Sequence, residues 1–175
     1  MTTLRQFTMD DLLKFNNVNL DVLTETYNMS FYMSYMSRWP ESFTVATDPT
    51  GNIMGYVLGK AEGDGKLWHG HVSAVTVSPT YRRLGLSSKL MNDFEDTCIN
   101  IYSAYFVDLF VRSSNLLAQK MYQNFGYTTY RRVINYYAGE YPEDALDMRK
   151  SLPRDKYKES IVPLTHPIHP EELEW

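Results

Sequence analysis

The stretch Val75-Thr76-Val77-Ser78-Pro79-Thr80-Tyr81-Arg82-Arg83-Leu84-Gly85-Leu86-Ser87 reads as a strand that passes through a short loop into a helix. A loop of this kind turns backbone N–H groups and the positive end of the helix dipole toward one spot, which suits a phosphate. Gly85 permits close approach of the backbone, Ser87 is small, and Arg82 or Arg83 supplies charge-assisted hydrogen bonds. On spacing alone the same residues fit a capped helix with solvated arginines. Further along, Asn115 and Tyr122 stand seven positions apart on a second helix pattern. They project from one face, about 10 Å from each other. A phenol with an ordinary pKa near ~10 is a suitable acid for a departing thiolate, and the plain alternative is a half-buried helix tyrosine. In the run Leu67 to Val77, His69, His71 and Ser73 alternate and share one strand face. That face is either a site or an exposed sheet surface.

The elements that must position these residues follow from periodicity. Leu4 to Phe7 is a short strand, and Thr8-Met9-Asp10-Asp11 opens a helix over Asp10 to Asn17. From Tyr27 to Trp39, Phe31, Tyr32, Tyr35, Met36 and Trp39 recur at helical spacing until Pro40 stops the run, a stripe that reads first as packing. Ser42 to Thr47 and Ile53 to Lys60 flank the turn formers Asp48-Pro49-Thr50-Gly51-Asn52 as a hairpin, and Leu67 to Val77 adds a third antiparallel strand. Leu86, Leu90, Met91, Phe94 and Cys98 then fall on one helix face. Ala104 to Val111 is a buried strand, Ser113 and Ser114 are candidate caps for a helix from Asn115 to Phe125, and Gly126 ends it. Tyr127 to Tyr137 and Ala145 to Lys150 form the last strand pair. The predicted organisation is one α/β domain over residues 1–152, followed by an extended, surface-lying proline-rich tail over 153–175.

Composition narrows the function classes. A formal charge of −4 gives no broad basic surface, so direct nucleic-acid binding is not expected. The single cysteine, Cys98, cannot form an internal disulfide and sits on an apolar helix face, where it reads as packing. No Cys/His cluster has the spacing of a zinc site, so no metal is expected. The start MTTLRQFTMDDLL lacks a signal-peptide core, and no apolar run approaches ~20 residues, which points to a cytoplasmic protein without a membrane partner. No serine-histidine-acid triad is apparent, so acyl chemistry at these residues would proceed by direct attack.

Arg82, Gly85 and Ser87 match the acetyl-CoA loop Gln/Arg-x-x-Gly-x-Gly/Ala, with serine departing at the last position. Asn115, Ala118, Tyr122, Gly126 and Tyr127 match Asn-x-x-Ala-x-x-x-Tyr-x-x-x-Gly-Tyr/Phe. With both motifs in order, the sequence resembles the GNAT superfamily. The resemblance implies a mixed, mainly antiparallel seven-stranded sheet flanked by about four helices, with acetyl-CoA as cosubstrate. It implies cofactor contacts from Val75 and Val77 through their backbones, from Arg82, Arg83, Leu84, Gly85, Leu86 and Ser87, and from Asn115 to the pantetheine amides. Tyr122 would be the acid at the sulfur. His71, directly or through a water, is the candidate for assisting deprotonation of an amine, with substrate recognition as its competing role. An α-amine, with a pKa of ~8, needs less such help than lysine at ~10.4.

The stretches MTTLRQFTMDDLLKFNNVNLDVLTETY, WHGHVSAVTVSPTYRRLGL, YFVDLFVR, VINYY and HPIHPEELE are similar to the catalytic subunits of NatB N-terminal acetyltransferases. That family acetylates the initiator methionine of nascent chains beginning Met-Asp, Met-Glu, Met-Asn or Met-Gln, bound to a large helical auxiliary subunit at the ribosome. By this resemblance Glu25 and Tyr27, with Tyr136 and Tyr137, frame the peptide entrance, and His71 and Ser73 bond the second substrate residue. Leu12, Leu13, Phe15, Leu20 and Leu23 give the early segment apolar surface for the partner. A GNAT enzyme for lysine or small amines would keep the cofactor motifs but shape this entrance differently.

Overall fold

The computed structural model describes residues 1–20 and 24–173. Leu23, counted above among the early apolar residues, and the last two residues of the tail lie outside the described residues. Seven strands form one sheet: β1 (Thr3–Gln6), β2 (Phe43–Thr47), β3 (Ile53–Glu62), β4 (His69–Val77), β5 (Phe106–Arg112), β6 (Thr128–Tyr137) and β7 (Glu143–Ser151), in the order β1-β2-β3-β4-β5-β7-β6. The pairs β1–β2, β2–β3, β5–β7 and β6–β7 are antiparallel. The helices are α1 (Asn16–Asn19), α2 (Met29–Arg38), α3 (Leu86–Asn100) and α4 (Leu116–Asn124). Among the described residues, the seven strands and four α-helices match the architecture expected from the sequence.

The chain divides into two compact units, one of Met1–Lys60 and Val72–Asn100, the other of Ala61–His71 and Ile101–Trp175. In the first, the aromatic stripe is core. Tyr32 and Tyr35 are buried with Phe7, Phe15, Phe43 and Tyr56, while Phe31, Met36 and Trp39 pack partly buried against them. Burying tyrosine requires partners for the hydroxyls. Tyr56 donates to Asn19 Oδ1 at 2.6 Å, and Asn19 Nδ2 donates to the Tyr32 hydroxyl at 3.2 Å. Asn28 caps α2 by accepting the Phe31 N–H at 2.9 Å, and the helix ends ahead of Pro40. α3 buries Leu86, Leu90, Met91, Phe94 and Cys98, the face read from its period.

In the second unit, Val133 and Ala145 form a small core with Ile168 and Leu173 of the tail. The tail is mostly exposed and is anchored along β6: Leu164 N–H donates to Tyr130 O at 2.8 Å, Ile168 N–H to Arg132 O at 3.0 Å, and Ile134 N–H to Ile168 O at 2.8 Å. The exposed backbone of β6 is paired by the returning chain, and Ile168 fills the apolar gap beside Val133. The structure corrects the expected early helix. Met9–Leu13 is a 3₁₀ turn, tightened where Asp11 accepts from the Thr8 N–H at 2.8 Å and from the Thr8 hydroxyl at 2.9 Å, and only Asn16–Asn19 is α-helical. Leu67 belongs to a short 3₁₀ turn, so β4 starts at His69.

Candidate active site

In the first unit, β4 is buried at Val72 and becomes half-buried from Ser73 to Val77, although the strand lies inside the sheet. Its backbone there is approached closely by β3: a Cβ on Gly55 would meet Thr76 O at 2.6 Å and Val77 Cα at 3.2 Å. Only glycine allows that approach. Three groups from the segment around α2 fix this half of β4. The Tyr27 hydroxyl donates to Ser73 O at 3.1 Å, the Tyr35 hydroxyl and Ser73 Oγ share a hydrogen bond of 2.7 Å, and the Thr24 and Thr76 hydroxyls share one of 2.6 Å. Tyr27 also stacks on Phe31 at 4.1 Å. Glu25, two residues before it, is exposed.

The loop after β4 carries positive φ at Arg83 (67°) and Gly85 (73°). Alternation of this sort turns successive N–H groups to one side, making an anion-binding concavity. Gly85 O accepts the first helical N–H, from Lys89 at 3.2 Å, so the N–H groups that start α3 lack helical acceptors. A Cβ on Gly85 would meet nothing within 4 Å. The position therefore needs glycine for its φ, with open space in front of it. Arg82, Arg83 and Leu84 are exposed, Leu86 is buried, and Ser87 is half-buried. Arg82 Nε reaches back to Val77 O at 3.4 Å.

In the second unit, the histidine face proves to be interior. His69 and His71 are 5% and 8% exposed. His71 Nδ1 lies 2.7 Å from Asp108 Oδ1, His69 Nε2 lies 3.5 Å from Asp108 Oδ2 and 3.8 Å from Glu62 Oε1, and His69 Nδ1 lies 2.6 Å from Leu67 O. Burial opposes the charge of Asp108, but His71, His69 and Arg149 outweigh it and hold the carboxyl well below its ordinary range. Glu62, His69 and His71 bring possible ligand atoms within 4.8 Å of one another. A tetrahedral metal with bonds of about 2.1 Å would need ligands about 3.4 Å apart. Leu67 O and Asp108 already face both histidine Nδ1 atoms, so the geometry is that of a hydrogen-bonded network.

Phe110 extends the face, with its ring edge-on to His71 at 5.4 Å and to Tyr136 at 4.7 Å. The register of β6 on β7 shifts between Val133 and Tyr137, around Asn135, whose φ is 52° and whose N–H donates to Asp144 Oδ1 at 2.8 Å. Tyr137 beyond this bulge donates to Phe110 O at 3.2 Å under the Arg112 guanidinium, 4.0 Å above its ring. Asn115, and not Ser113 or Ser114, caps α4: its Oδ1 accepts the Ala118 N–H at 3.1 Å, and the residue is exposed. Tyr122, two turns on, is 9% exposed, and burial pushes its phenol above the usual range.

Residues 9–127 match the Acetyltransferase (GNAT) family. The chain belongs to the GNAT family, in its NatB catalytic-subunit branch. The N-terminal acetyltransferase B complex catalytic subunit NAA20 of Arabidopsis thaliana is 61% identical over 175 residues, covering 100% of this chain and 99% of that one. The structure of Chaetomium thermophilum Naa20 in complex with a bisubstrate analogue superposes with a TM-score of 0.88 at 40% identity, covering 97% of each chain. The NatB acetyltransferase complex bound to CoA and MES gives 0.79 at 43% identity, over 86% of this chain and 99% of that one. This acetyltransferase uses acetyl-CoA, and the donor set fits it: a concave run of N–H groups at Arg83–Gly85, a helix start, and an arginine suit a pyrophosphate.

Among the residues expected at the acetyltransferase site, the structure brings Tyr27 onto Ser73, and it places Phe110 beside His71, Tyr136 and Tyr137. Asp108, which holds the His71 ring, was not among the residues expected from the sequence. Its signal was a lone acid inside the otherwise apolar run Phe106-Val107-Asp108-Leu109-Phe110, which a buried strand does not carry without a partner. Among the described residues no helix is long and apolar enough to cross a membrane.

Proposed function

We propose that the chain transfers acetyl from acetyl-CoA to the α-amino group of nascent polypeptides beginning Met-Asp, Met-Glu, Met-Asn or Met-Gln, by direct attack in a ternary complex. It would work in the cytoplasm, held at the ribosome by a large helical auxiliary subunit. Acetyl-CoA supplies the activated acyl group; the chain's residues bind, orient and move protons. Arg82, Arg83, Leu84, Gly85, Leu86 and Ser87 hold the pyrophosphate, and Asn115 Nδ2 donates to a pantetheine carbonyl. Backbone groups of Val75 and Val77 face the acyl end, where a backbone donor to a developing oxyanion contributes about 3–4 kcal/mol. Tyr122, kept protonated by burial, is the acid for the departing sulfur. Glu25, Tyr27, Tyr136 and Tyr137 frame the methionine entrance.

The observation that carries the acceptor assignment is the buried His71 of the second unit, its ring held by Asp108 Oδ1 at 2.7 Å and flanked by Phe110. Fixed polar groups of this kind reward a substrate that satisfies them and penalise one that lacks the matching group. The test presents the chain, with and without the auxiliary subunit, with acetyl-CoA and peptides beginning Met-Asp, Met-Leu and Ser-Glu. We expect turnover confined to Met-Asp; equal turnover of all three would overturn the acceptor assignment.

A further inference from the structure

β6 is the last strand of the sheet, and the returning tail takes its outer edge over a short span. Leu164 bonds Tyr130, and Ile168 bonds both Arg132 and Ile134, so the pairing stops one residue before Asn135. There β6 bulges. Asn135 holds a φ of 52°, Asp144 Oδ1 accepts its N–H at 2.8 Å, and Asp144 Oδ2 accepts Arg132 Nε at 2.6 Å. A bulge re-aims the side chains that follow it, here Tyr136 and Tyr137. With the ladder interrupted, packing has to fix their rings. Tyr136 meets Phe110 edge-on at 4.7 Å and Tyr137 at 5.1 Å, and all three rings pack against the buried cluster of Val133, Ala145, Ile168 and Leu173. Two of those four side chains come from the tail. Between residues 162 and 173 only Ile168 and Leu173 are buried, at 5% and 8% exposure.

We propose that Ile168 and Leu173 are positioning residues for the Tyr136 and Tyr137 rings, so that the returning tail sets how closely the entrance fits the first residue of the substrate. This rests on the assignment of those two tyrosines to the methionine entrance. The tail presents both side chains by a turn of its own: His169 N–H donates to Glu172 Oε2 at 2.7 Å and Leu173 N–H to Pro170 O at 3.2 Å, which returns Leu173 to the cluster that Ile168 has entered. Tyr137 has a further hold, its hydroxyl on Phe110 O at 3.2 Å with the Arg112 guanidinium 4.0 Å above the ring. An apolar wall discriminates between side chains only while it keeps one shape, and a core that loses volume loses its unique arrangement before it loses stability. Truncating Ile168 opens a cavity beside Val133, next to the rings that pack there. The rings then gain alternative positions, and the entrance loses its fit.

The measurement uses the full chain with its auxiliary subunit and two peptides that differ only in their first residue, Met-Asp and Leu-Asp, with kcat and KM determined for each and thermal unfolding recorded beside them. A variant that merely lowers the folded fraction slows both peptides alike and leaves the ratio of their kcat/KM values where it was. We expect Ile168→Ala to lower the Met-Asp to Leu-Asp ratio by about fivefold or more, because the preference of an apolar slot for one aliphatic shape depends on its fit. The change should lie in KM for the Met-Asp peptide, with KM for acetyl-CoA unchanged. Ile168→Val, which keeps most of the volume, should retain the ratio. Leu173→Ala should move it in the same direction as Ile168→Ala, and it decides the matter should Ile168→Ala fold poorly. An unchanged ratio in the folded alanine variants, or an equal loss with both peptides, would overturn the proposal. A ratio that also survives Tyr136→Ala and Tyr137→Ala would instead show that the underlying entrance assignment had failed.

Discussion

A phenol enclosed by side chains loses acidity, and Tyr122 is such a phenol, with Phe125 and Tyr127 edge-on at 6.4 and 6.0 Å. It stays protonated throughout the pH range in which an α-amine becomes neutral, so it is fitted to give a proton and not to take one. Tyr122→Phe should lower kcat about 10²-fold while leaving KM for acetyl-CoA nearly unchanged, since the lost interaction is one made as the sulfur departs. Steady-state kinetics across pH checks this, and the unmodified enzyme should show no alkaline limb from Tyr122. Full activity in the phenylalanine variant would remove Tyr122 from the proton path. At this scale the sequence was informative where a residue belongs to a local motif. Asn115 caps the helix that carries Ala118 and Tyr122, so their closeness on one side follows from local spacing alone. The partner of His71 did not follow, because Asp108 is 37 residues away and only the sheet pairing brings it near.

Two glycines separate what an element needs for folding from what it needs for the cofactor. Gly85 combines a φ of 73° with open space where its side chain would be, whereas the space at Gly55 is already filled by Thr76 O and Val77 Cα. Gly85→Ala should destabilise the chain by about 1 kcal/mol through strain while weakening acetyl-CoA binding by about tenfold or more, because the new methyl occupies the concavity. Gly55→Ala should do the reverse, with a larger drop in Tm than in affinity at a matched temperature. Calorimetric binding beside thermal unfolding distinguishes the two, and equal losses in both variants would contradict the separation. The same contrast explains what was legible among the elements. Helix faces and strand runs were readable because their periods are local. The 3₁₀ turn at Met9–Leu13, the bulge at Asn135 and the return of Leu164–Ile168 onto β6 were not, because each is decided by hydrogen bonds to chain elsewhere or by a single side chain that tightens a turn.

At the scale of the molecule, the assembly proposed above requires apolar surface that the chain does not bury on its own. The first unit supplies it around the early segment: Leu13 and Leu20 are 79% and 80% exposed, while Leu12, Phe15 and Val18 alongside them are buried in the core. The segment therefore has an inner face that holds the fold and an outer face with no internal use. Replacing exposed leucines by charge changes folding stability by no more than about 0.5 kcal/mol, whereas a charge without a partner inside an interface is expensive. The double variant Leu13→Glu with Leu20→Glu should thus unfold at nearly the same temperature as the unmodified chain yet fail to co-purify with the auxiliary subunit. Leu116 and Leu117, 71% and 79% exposed at the start of α4, form a rival surface in the second unit. The matching Leu116→Glu with Leu117→Glu variant should retain the partner, because α4 is assigned to acetyl-CoA through Asn115 and Tyr122. Loss of the partner in the α4 variant alone would move the interface to the second unit and leave the outer face of the early segment without its assigned role.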